Sequence, residues 1–192
     1  NKSERTHWDC STGRRVLAAT IHTMSHVLDQ LRDRSKQRNA RIVLPETGDP
    51  RTHAARQQIE RDGLGQVIWI DDPSTDPRFD EVAAHVLARR QHKGVTAEQA
   101  RDLAALPLVF GAGLVATGHA DCGVSGAAHS TADVIRAGLI CLGTEPSIPL
   151  VSSMFLLVRG NEVLSFADCG VIPDPGHRAT GAHRQRHRQQ PP

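Results

Sequence analysis

The amino-acid sequence predicts an α/β domain in which a mostly parallel sheet is flanked by helices. Short apolar runs at 41–44 and 67–70 have the length and the β-branched content of buried strands. Each run is followed by a longer segment with helix signals, and this alternation is typical of a parallel sheet. Two later apolar runs, 150–158 and 162–167, are joined by Arg159-Gly160-Asn161 and predict a hairpin.

Capping residues set the limits of the predicted helices. Asp49 before Pro50 predicts an N-cap followed by a proline at the first helical position, and Gly63 predicts the end of that helix. Thr96-Ala97-Glu98-Gln99 is a capping box that opens another helix, which Pro107 bounds. Further helices are predicted over 79–90, 109–117 and 130–142, a weak helical pattern reaches Leu31, and a further strand is predicted over 121–124.

Composition divides the 192 residues into three parts. Residues 1–23 and 176–192 show no apolar period that could bury a face, so we expect both to be disordered. Residues 24–175 are expected to form the domain. The net charge is +2, and the segment 176–192 contains four arginines and no acidic residue, so the basic excess lies at one end.

These features disfavour several classes of function. A basic segment without aromatic residues or a fold would make only weak, salt-sensitive contacts with nucleic acid. No apolar run is long enough to span a membrane, so we expect a cytoplasmic protein with no membrane partner. The four cysteines form no C-x-x-C pair, and we predict no metal site. No G-x-G-x-x-G follows a strand, which argues against a nicotinamide-dependent dehydrogenase.

The stretch 121–136 contains the candidate site, and its order is strand, small-residue loop, helix. The loop Ser125-Gly126-Ala127-Ala128 would let a ligand approach the backbone closely. Ser130 is a candidate N-cap, and the N–H groups at the helix start would attract an anion such as phosphate. Arg136 and His129 are seven positions apart and share a face, so the Arg136 guanidinium could reach the same anion. An equally open interpretation is a helix capped for stability, with Arg136 solvated at the surface.

Five ordered motifs resemble the phosphate acetyl/butyryl transferase family. The signature loop is Ser125-Gly126-Ala127-Ala128-His129-Ser130-Thr131-Ala132-Asp133 with Arg136. The other motifs, in chain order, are Arg41-Ile42-Val43-Leu44-Pro45-Glu46 with Asp49-Pro50-Arg51, Arg90-Gln91-His92-Lys93-Gly94-Val95-Thr96, Leu150-Val151-Ser152-Ser153-Met154-Phe155, and Asp168-Cys169 with Pro173-Asp174-Pro175. The resemblance covers roughly residues 24–175.

The resemblance implies a fold related to isocitrate dehydrogenase and an acyltransferase that moves an acetyl group between coenzyme A and phosphate. The resemblance implies coenzyme A and acetyl phosphate or phosphate as substrates and no permanently bound cofactor. It is also compatible with a homo-oligomer. The motif positions imply that Arg90 and Arg136 bind substrate or coenzyme. Ser125, Gly126, His129, Ser130 and Thr131 are the other candidate phosphate-binding residues, and His129 is the candidate base.

Two departures from the family pattern lead us to expect a truncated N-terminal half. Gly63-Leu64-Gly65-Gln66 runs directly into the predicted strand at 67–70, where the family pattern implies one more strand–helix unit. After Pro173-Asp174-Pro175 the family pattern continues for about as many residues again. That part supplies a Ser-Arg pair and an Asp for transition-state stabilisation and proton abstraction. We therefore expect this chain alone to be inactive. The alternative is a non-catalytic interaction fragment that docks on a full-length homologue.

Overall fold

The computed structural model describes residues 26–145, 151–159 and 162–167. The helices in these residues are α1 (His26–Arg38), α2 (Pro50–Asp62), α3 (Phe79–Arg90), α4 (Ala97–Ala104), α5 (Pro107–Ala116) and α6 (Thr131–Cys141). The strands are β1 (Arg41–Val43), β2 (Gln66–Ile68), β3 (Cys122–Gly123), β4 (Met154–Arg159) and β5 (Glu162–Ala167). Within the described part, no helix is both long enough and apolar enough to cross a membrane.

The first three strands form a parallel sheet in the order β2-β1-β3. In the central strand, Ile42 is paired with Val67 on one side and with Cys122 on the other. Helix α2 connects β1 to β2, and α3, α4 and α5 lie in the chain between β2 and β3. The predicted α/β class with a parallel sheet flanked by helices is confirmed.

The capping signals in the sequence act as predicted. The Asp49 carboxylate accepts a hydrogen bond from the Arg51 N–H at the start of α2. Gly63 ends that helix with φ at 63°, a left-handed conformation that glycine adopts without a steric cost. At the start of α4, Thr96 and Gln99 exchange both hydrogen bonds of a capping box.

Helix α5 lies at the centre of the packing between the helices. Its sequence is apolar on all sides, as expected for a buried helix. Phe110 and Leu114 on α5 are at most 1% exposed, and they belong to the same core cluster as Val82 and Val86 of α3. Gly113 allows the two helices to approach closely, because a Cβ at this position would collide with the Val82 side chain.

Strands β4 and β5 pair in an antiparallel ladder, which confirms the predicted hairpin. The turn residues 160–161 lie outside the described residues. Consecutive side chains of β4 are about half exposed, so apolar groups occupy both faces of the ladder. They are Met154, Phe155, Leu156 and Leu157, and Leu164 and Phe166 of β5 are similarly exposed. Strands that are apolar on both faces are typical of sheets covered on both sides.

Several observed limits differ from the predicted ones, and strand β4, for example, spans Met154–Arg159 where the apolar run is 150–158. Helix α1 continues to Arg38, although the apolar pattern ends at Leu31. Helix α5 begins at Pro107, two residues before the predicted start. The β2 ladder ends at Ile68, because Trp69 and Ile70 no longer pair with β1. The predicted disordered segments 1–23 and 176–192 lie outside the described residues.

Candidate anion-binding site at the carboxyl edge of the sheet

Two of the sequence motifs meet where β1 and β3 end. The chain leaves β1 through Leu44, Pro45 and Glu46, all of which are buried. It leaves β3 through the loop 124–130, and the Val124 N–H donates to the Val43 carbonyl at 3.1 Å. Because neighbouring parallel strands end at the same edge of a sheet, segments about 80 positions apart in sequence come together here.

The Glu46 carboxylate is bound inside the small-residue loop. Its Oε2 accepts hydrogen bonds from the N–H groups of Gly126 and Ala127, both at 2.7 Å. Its Oε1 accepts from the N–H groups of Ala128 and His129, both at 2.9 Å. The Glu46 side chain is only 3% exposed. Successive N–H groups that converge in this way form an anion-binding concavity, and in this structure the anion is the chain's own carboxylate.

The loop determines the ionisation of Glu46. Burial by itself would raise the pKa of Glu46, because it disfavours the charged form. Hydrogen bonds from His129 and from the backbone of residues 127–129 outweigh burial and lower the pKa of Glu46 to about 2. The group is therefore a carboxylate at neutral pH.

The ionised carboxylate also fixes the orientation of the His129 ring. His129 Nδ1 lies 2.8 Å from Glu46 Oε1, and the His129 side chain is 42% exposed. A carboxylate can only accept hydrogen bonds, so Nδ1 carries the proton. In the neutral ring Nε2 is then the acceptor. The ring borders a cleft of about 280 Å³ whose lining includes Glu46, Asp49 and Pro107.

Arg51 provides a second connection between the two motifs. Its Nε and Nη2 bind the two oxygens of Asp49 at 3.0 and 2.8 Å. Nη2 also donates to the Ala127 carbonyl oxygen, across 76 positions of sequence. Glu46 and Arg51 belong to one of the sequence motifs, but no role in the site was predicted for either residue. The available signal was a charged residue directly after a buried strand.

The start of α6 has the predicted cap. Ser130 Oγ accepts from the Asp133 N–H at 3.3 Å and donates to Asp133 Oδ2 at 2.6 Å. Arg136 Nη1 donates to Asp133 Oδ1 at 2.7 Å, so the guanidinium lies near the helix start and is 67% exposed. The N–H groups of Thr131 and Ala132 come before the first intrahelical hydrogen bonds and face the loop end of the helix.

Arg90 lies elsewhere. It is the last residue of α3, and its charge acts on the thiol of Cys141 at the carboxyl end of α6. Burial raises the pKa of the Cys141 thiol to about 11, although the charges of Arg89 and Arg90 oppose this. Ten residues of helix, about 15 Å, separate this end of α6 from Ser130. The structure thus groups Ser125, Gly126, His129, Ser130, Thr131 and Arg136 at one edge and leaves Arg90 at the other end of α6.

No group of three or more His, Cys, Asp or Glu side chains in the described ranges is arranged to hold a metal ion. The donors of the site are backbone N–H groups at the start of α6, hydroxyls and guanidinium groups, all of which suit an anionic ligand. Fold and site together define an α/β protein in which hydrogen-bond donors gather at the carboxyl ends of the parallel strands.

Comparison with known proteins identifies the family. Residues 26–180 match the model of the phosphate acetyl/butaryl transferase family. The chain is 34% identical over 165 residues to the phosphate acetyltransferase of Nitratidesulfovibrio vulgaris, covering 74% of this chain and 23% of that protein. It is 30% identical over 175 residues to the phosphate acetyltransferase of Thermoanaerobacterium thermosaccharolyticum, covering 78% of this chain and 53% of that protein.

Two solved structures of phosphotransacetylases are also similar to this chain. A phosphotransacetylase from Streptococcus pyogenes superposes with a TM-score of 0.72 at 31% identity, covering 81% of this chain and 55% of that chain. The EutD phosphotransacetylase from Staphylococcus aureus gives a TM-score of 0.65 at 30% identity, covering 77% of this chain and 51% of that chain. The chain belongs to the phosphate acetyl/butaryl transferase family. It spans about half the length of several of these relatives and about a quarter of the first.

Proposed function

We propose that the protein takes part in the transfer of an acetyl group between coenzyme A and phosphate, as phosphate acetyltransferases do. The observation that supports this most strongly is the meeting of two family motifs at one edge of the sheet. The Glu46 motif and the signature loop are joined there by five hydrogen bonds to one carboxylate. The loop is therefore held in one conformation before a ligand arrives.

In this proposal a phosphate group binds at the start of α6. Ser130 caps this helix start, the N–H groups of Thr131 and Ala132 are the donors, and Arg136 adds a charged one. Asp133 neutralises part of the Arg136 charge. However, a guanidinium has five N–H groups, and one hydrogen bond to Asp133 leaves others for a phosphate. We expect weak binding, because the site is exposed and its net charge is small.

Coenzyme A carries several phosphates on a long molecule, so two separate cationic positions suit it. Arg136 would bind at one end of α6 and Arg90 at the other. Each arginine could bind a different part of coenzyme A from the position that it has in the structure. This gives both family arginines a role in one ligand, because the Arg136 guanidinium lies at Asp133 and Arg90 lies near Cys141, towards opposite ends of α6.

Holding the substrate does not by itself accelerate the chemical step. Groups that bind the ground state and the transition state equally leave kcat unchanged. We therefore assign substrate binding, and not turnover, to the described residues. His129 Nε2 is the candidate base in the loop. The proposal keeps a cytoplasmic location, and it treats acetyl phosphate or phosphate as the second substrate.

Calorimetric titration of coenzyme A and of inorganic phosphate into the chain tests this proposal. Arg136→Ala should weaken coenzyme A binding roughly 10- to 100-fold, because a hydrogen bond to a charged group contributes about 1.5–3 kcal/mol. Arg61→Ala is the matched control, because Arg61 is an exposed α2 arginine that forms an ion pair with its neighbour Asp62, away from α6. Equal affinities of the Arg136→Ala variant and the wild type would contradict the proposed site.

A further inference from the structure

A second cavity lies between α5, α6 and the carboxyl edge of the sheet. Its volume is about 160 Å³, and the larger part of its lining is apolar. The lining residues include Pro45, Val115, Val134, Gly138 and Leu142. Ser125 of the signature loop is the one hydroxyl-bearing residue in the described lining. The cavity is thus lined mainly by apolar side chains, and Ser125 is the polar side chain where the cavity meets the loop.

The position of this cavity connects it with the candidate site. Pro45 lines both this cavity and the 280 Å³ cleft that Glu46 and His129 border. Ser125 lies between the end of β3 and the N–H groups that bind Glu46. A ligand whose polar end is bound at the loop could therefore extend its apolar end between α5 and α6.

Small residues of the two helices keep the cavity open. Ala112 of α5 and Ala137 and Gly138 of α6 all line it. A Cβ placed at Gly138 would have no other heavy atom within 4 Å, so the space beside this residue is empty. Gly138 is also helical, and glycine in a helix interior is destabilising relative to alanine. A larger residue would fit the local backbone better and would fill the cavity.

We propose that this cavity receives the aliphatic acyl chain of the substrate and that Gly138 sets the length of chain accepted. This inference rests on the proposed function. An apolar cavity of about 150 Å³ is large enough to bind benzene. A cavity of about 160 Å³ therefore has room for a chain of roughly four carbons, whereas an acetyl group would leave most of it empty. The cavity thus admits acetyl and also a longer aliphatic acyl group, and the longer group should bind more tightly because it fills more of the space.

The test compares the affinities of coenzyme A, acetyl-CoA and butyryl-CoA for the chain, by calorimetry in phosphate-free buffer. Butyryl-CoA has two more methylenes than acetyl-CoA, and burying each should tighten binding about fourfold. We therefore expect butyryl-CoA to bind roughly tenfold more tightly than acetyl-CoA. Gly138→Leu should abolish this preference and leave the affinity for coenzyme A itself unchanged. Ala84→Leu, at an exposed α3 position, is the control and should keep the preference.

Each outcome separates this inference from the proposed function. If coenzyme A binds but the two acyl forms bind equally, the acyl cavity is wrong and the proposed function stands. If Gly138→Leu weakens coenzyme A and both acyl forms equally, the cavity holds another part of coenzyme A and the assignment is overturned. If none of the three binds, both proposals fail. Gly138→Ala, which adds one methyl and raises helix propensity, is the second variant should Gly138→Leu not fold. It should reduce the preference about two- to fourfold.

Discussion

Glu46 Oε1 and His129 Nδ1 lie 2.8 Å apart, although 83 positions of sequence separate the two residues. The same carboxylate accepts four backbone N–H groups from residues 126–129. One buried side chain therefore connects the end of the central strand to the signature loop of the family. The following predictions test what this connection and its surroundings do.

Glu46→Gln should strongly destabilise the fold. The amide keeps one acceptor oxygen but places an NH₂ group where the other oxygen was, so the backbone N–H groups that face it lose their acceptor. Removing one partner of a buried charged network typically costs about 3–5 kcal/mol. Glu60→Gln is the control, because Glu60 is an exposed partner of Arg56 on α2 and such pairs contribute less than about 0.5 kcal/mol. Urea denaturation measures both, and similar losses in the two variants would show that the Glu46 network is unimportant.

The stability should fall in acid because of Glu46. Its folded-state pKa of about 2 lies below the ordinary value of 4.5, so the contribution is fully present above pH 4.5. It is lost progressively as the pH falls through 4.5 towards 2. The difference of about 2.5 units corresponds to about 3 kcal/mol. Denaturation at several pH values should show this loss in the wild type and a flatter dependence in Glu46→Gln. If the stability of the wild type and of Glu46→Gln fell equally with pH, the lowered pKa assigned to Glu46 would be wrong.

Two glycine-to-alanine substitutions in helices should act in opposite directions. Gly113→Ala places a methyl against Val82 in the contact between α3 and α5, and overpacking of this kind costs about 1–3 kcal/mol. Gly138→Ala places its methyl in open space on α6 and should stabilise the helix by up to about 1 kcal/mol. Thermal unfolding of the two variants measures the difference. Equal melting temperatures would indicate that the packing around Gly113 is not close.

Acetyl transfer by the chain alone should stay at the baseline rate. The described residues supply groups that hold a substrate, and such binding does not raise kcat. The assay is thioester formation from acetyl phosphate and coenzyme A, followed by absorbance at high protein concentration. A rate near 1 s⁻¹ or above, typical of a working enzyme, would overturn this expectation. In that case His129→Asn, which keeps a donor near the Nδ1 position and lacks Nε2, would show whether Nε2 is the base.

Local signals in the sequence were sufficient for much of the fold. Helix α3 spans Phe79–Arg90 as predicted, and Gly63 and the Thr96 capping box end and begin helices at the expected residues. These features depend on neighbours within a few positions, so a pattern along the chain contains them. The end of β2 was predicted less well, because Trp69 and Ile70 have strand-forming side chains but no partner in β1.

The geometry of the site was harder to predict, because it depends on contacts between residues that are far apart in the sequence. The sequence placed a small-residue loop before an N-cap at Ser130, and both are present. It could not show that the carboxylate of Glu46 occupies the backbone donors of that loop, because the contact joins two motifs through the sheet. It also grouped Arg90 with Arg136 by family position, whereas the fold places Arg90 beside the other end of α6.

The most direct test of the account follows backbone amide signals of the ¹⁵N-labelled chain by NMR during a titration with inorganic phosphate. We predict saturable shifts of the Thr131 and Ala132 amides, and loss of these shifts in Arg136→Ala. The amides of residues 126–129 should shift little, because Glu46 already occupies them. Large shifts at 126–129, or none at the start of α6, would contradict a phosphate site at the α6 start beside a loop held by Glu46.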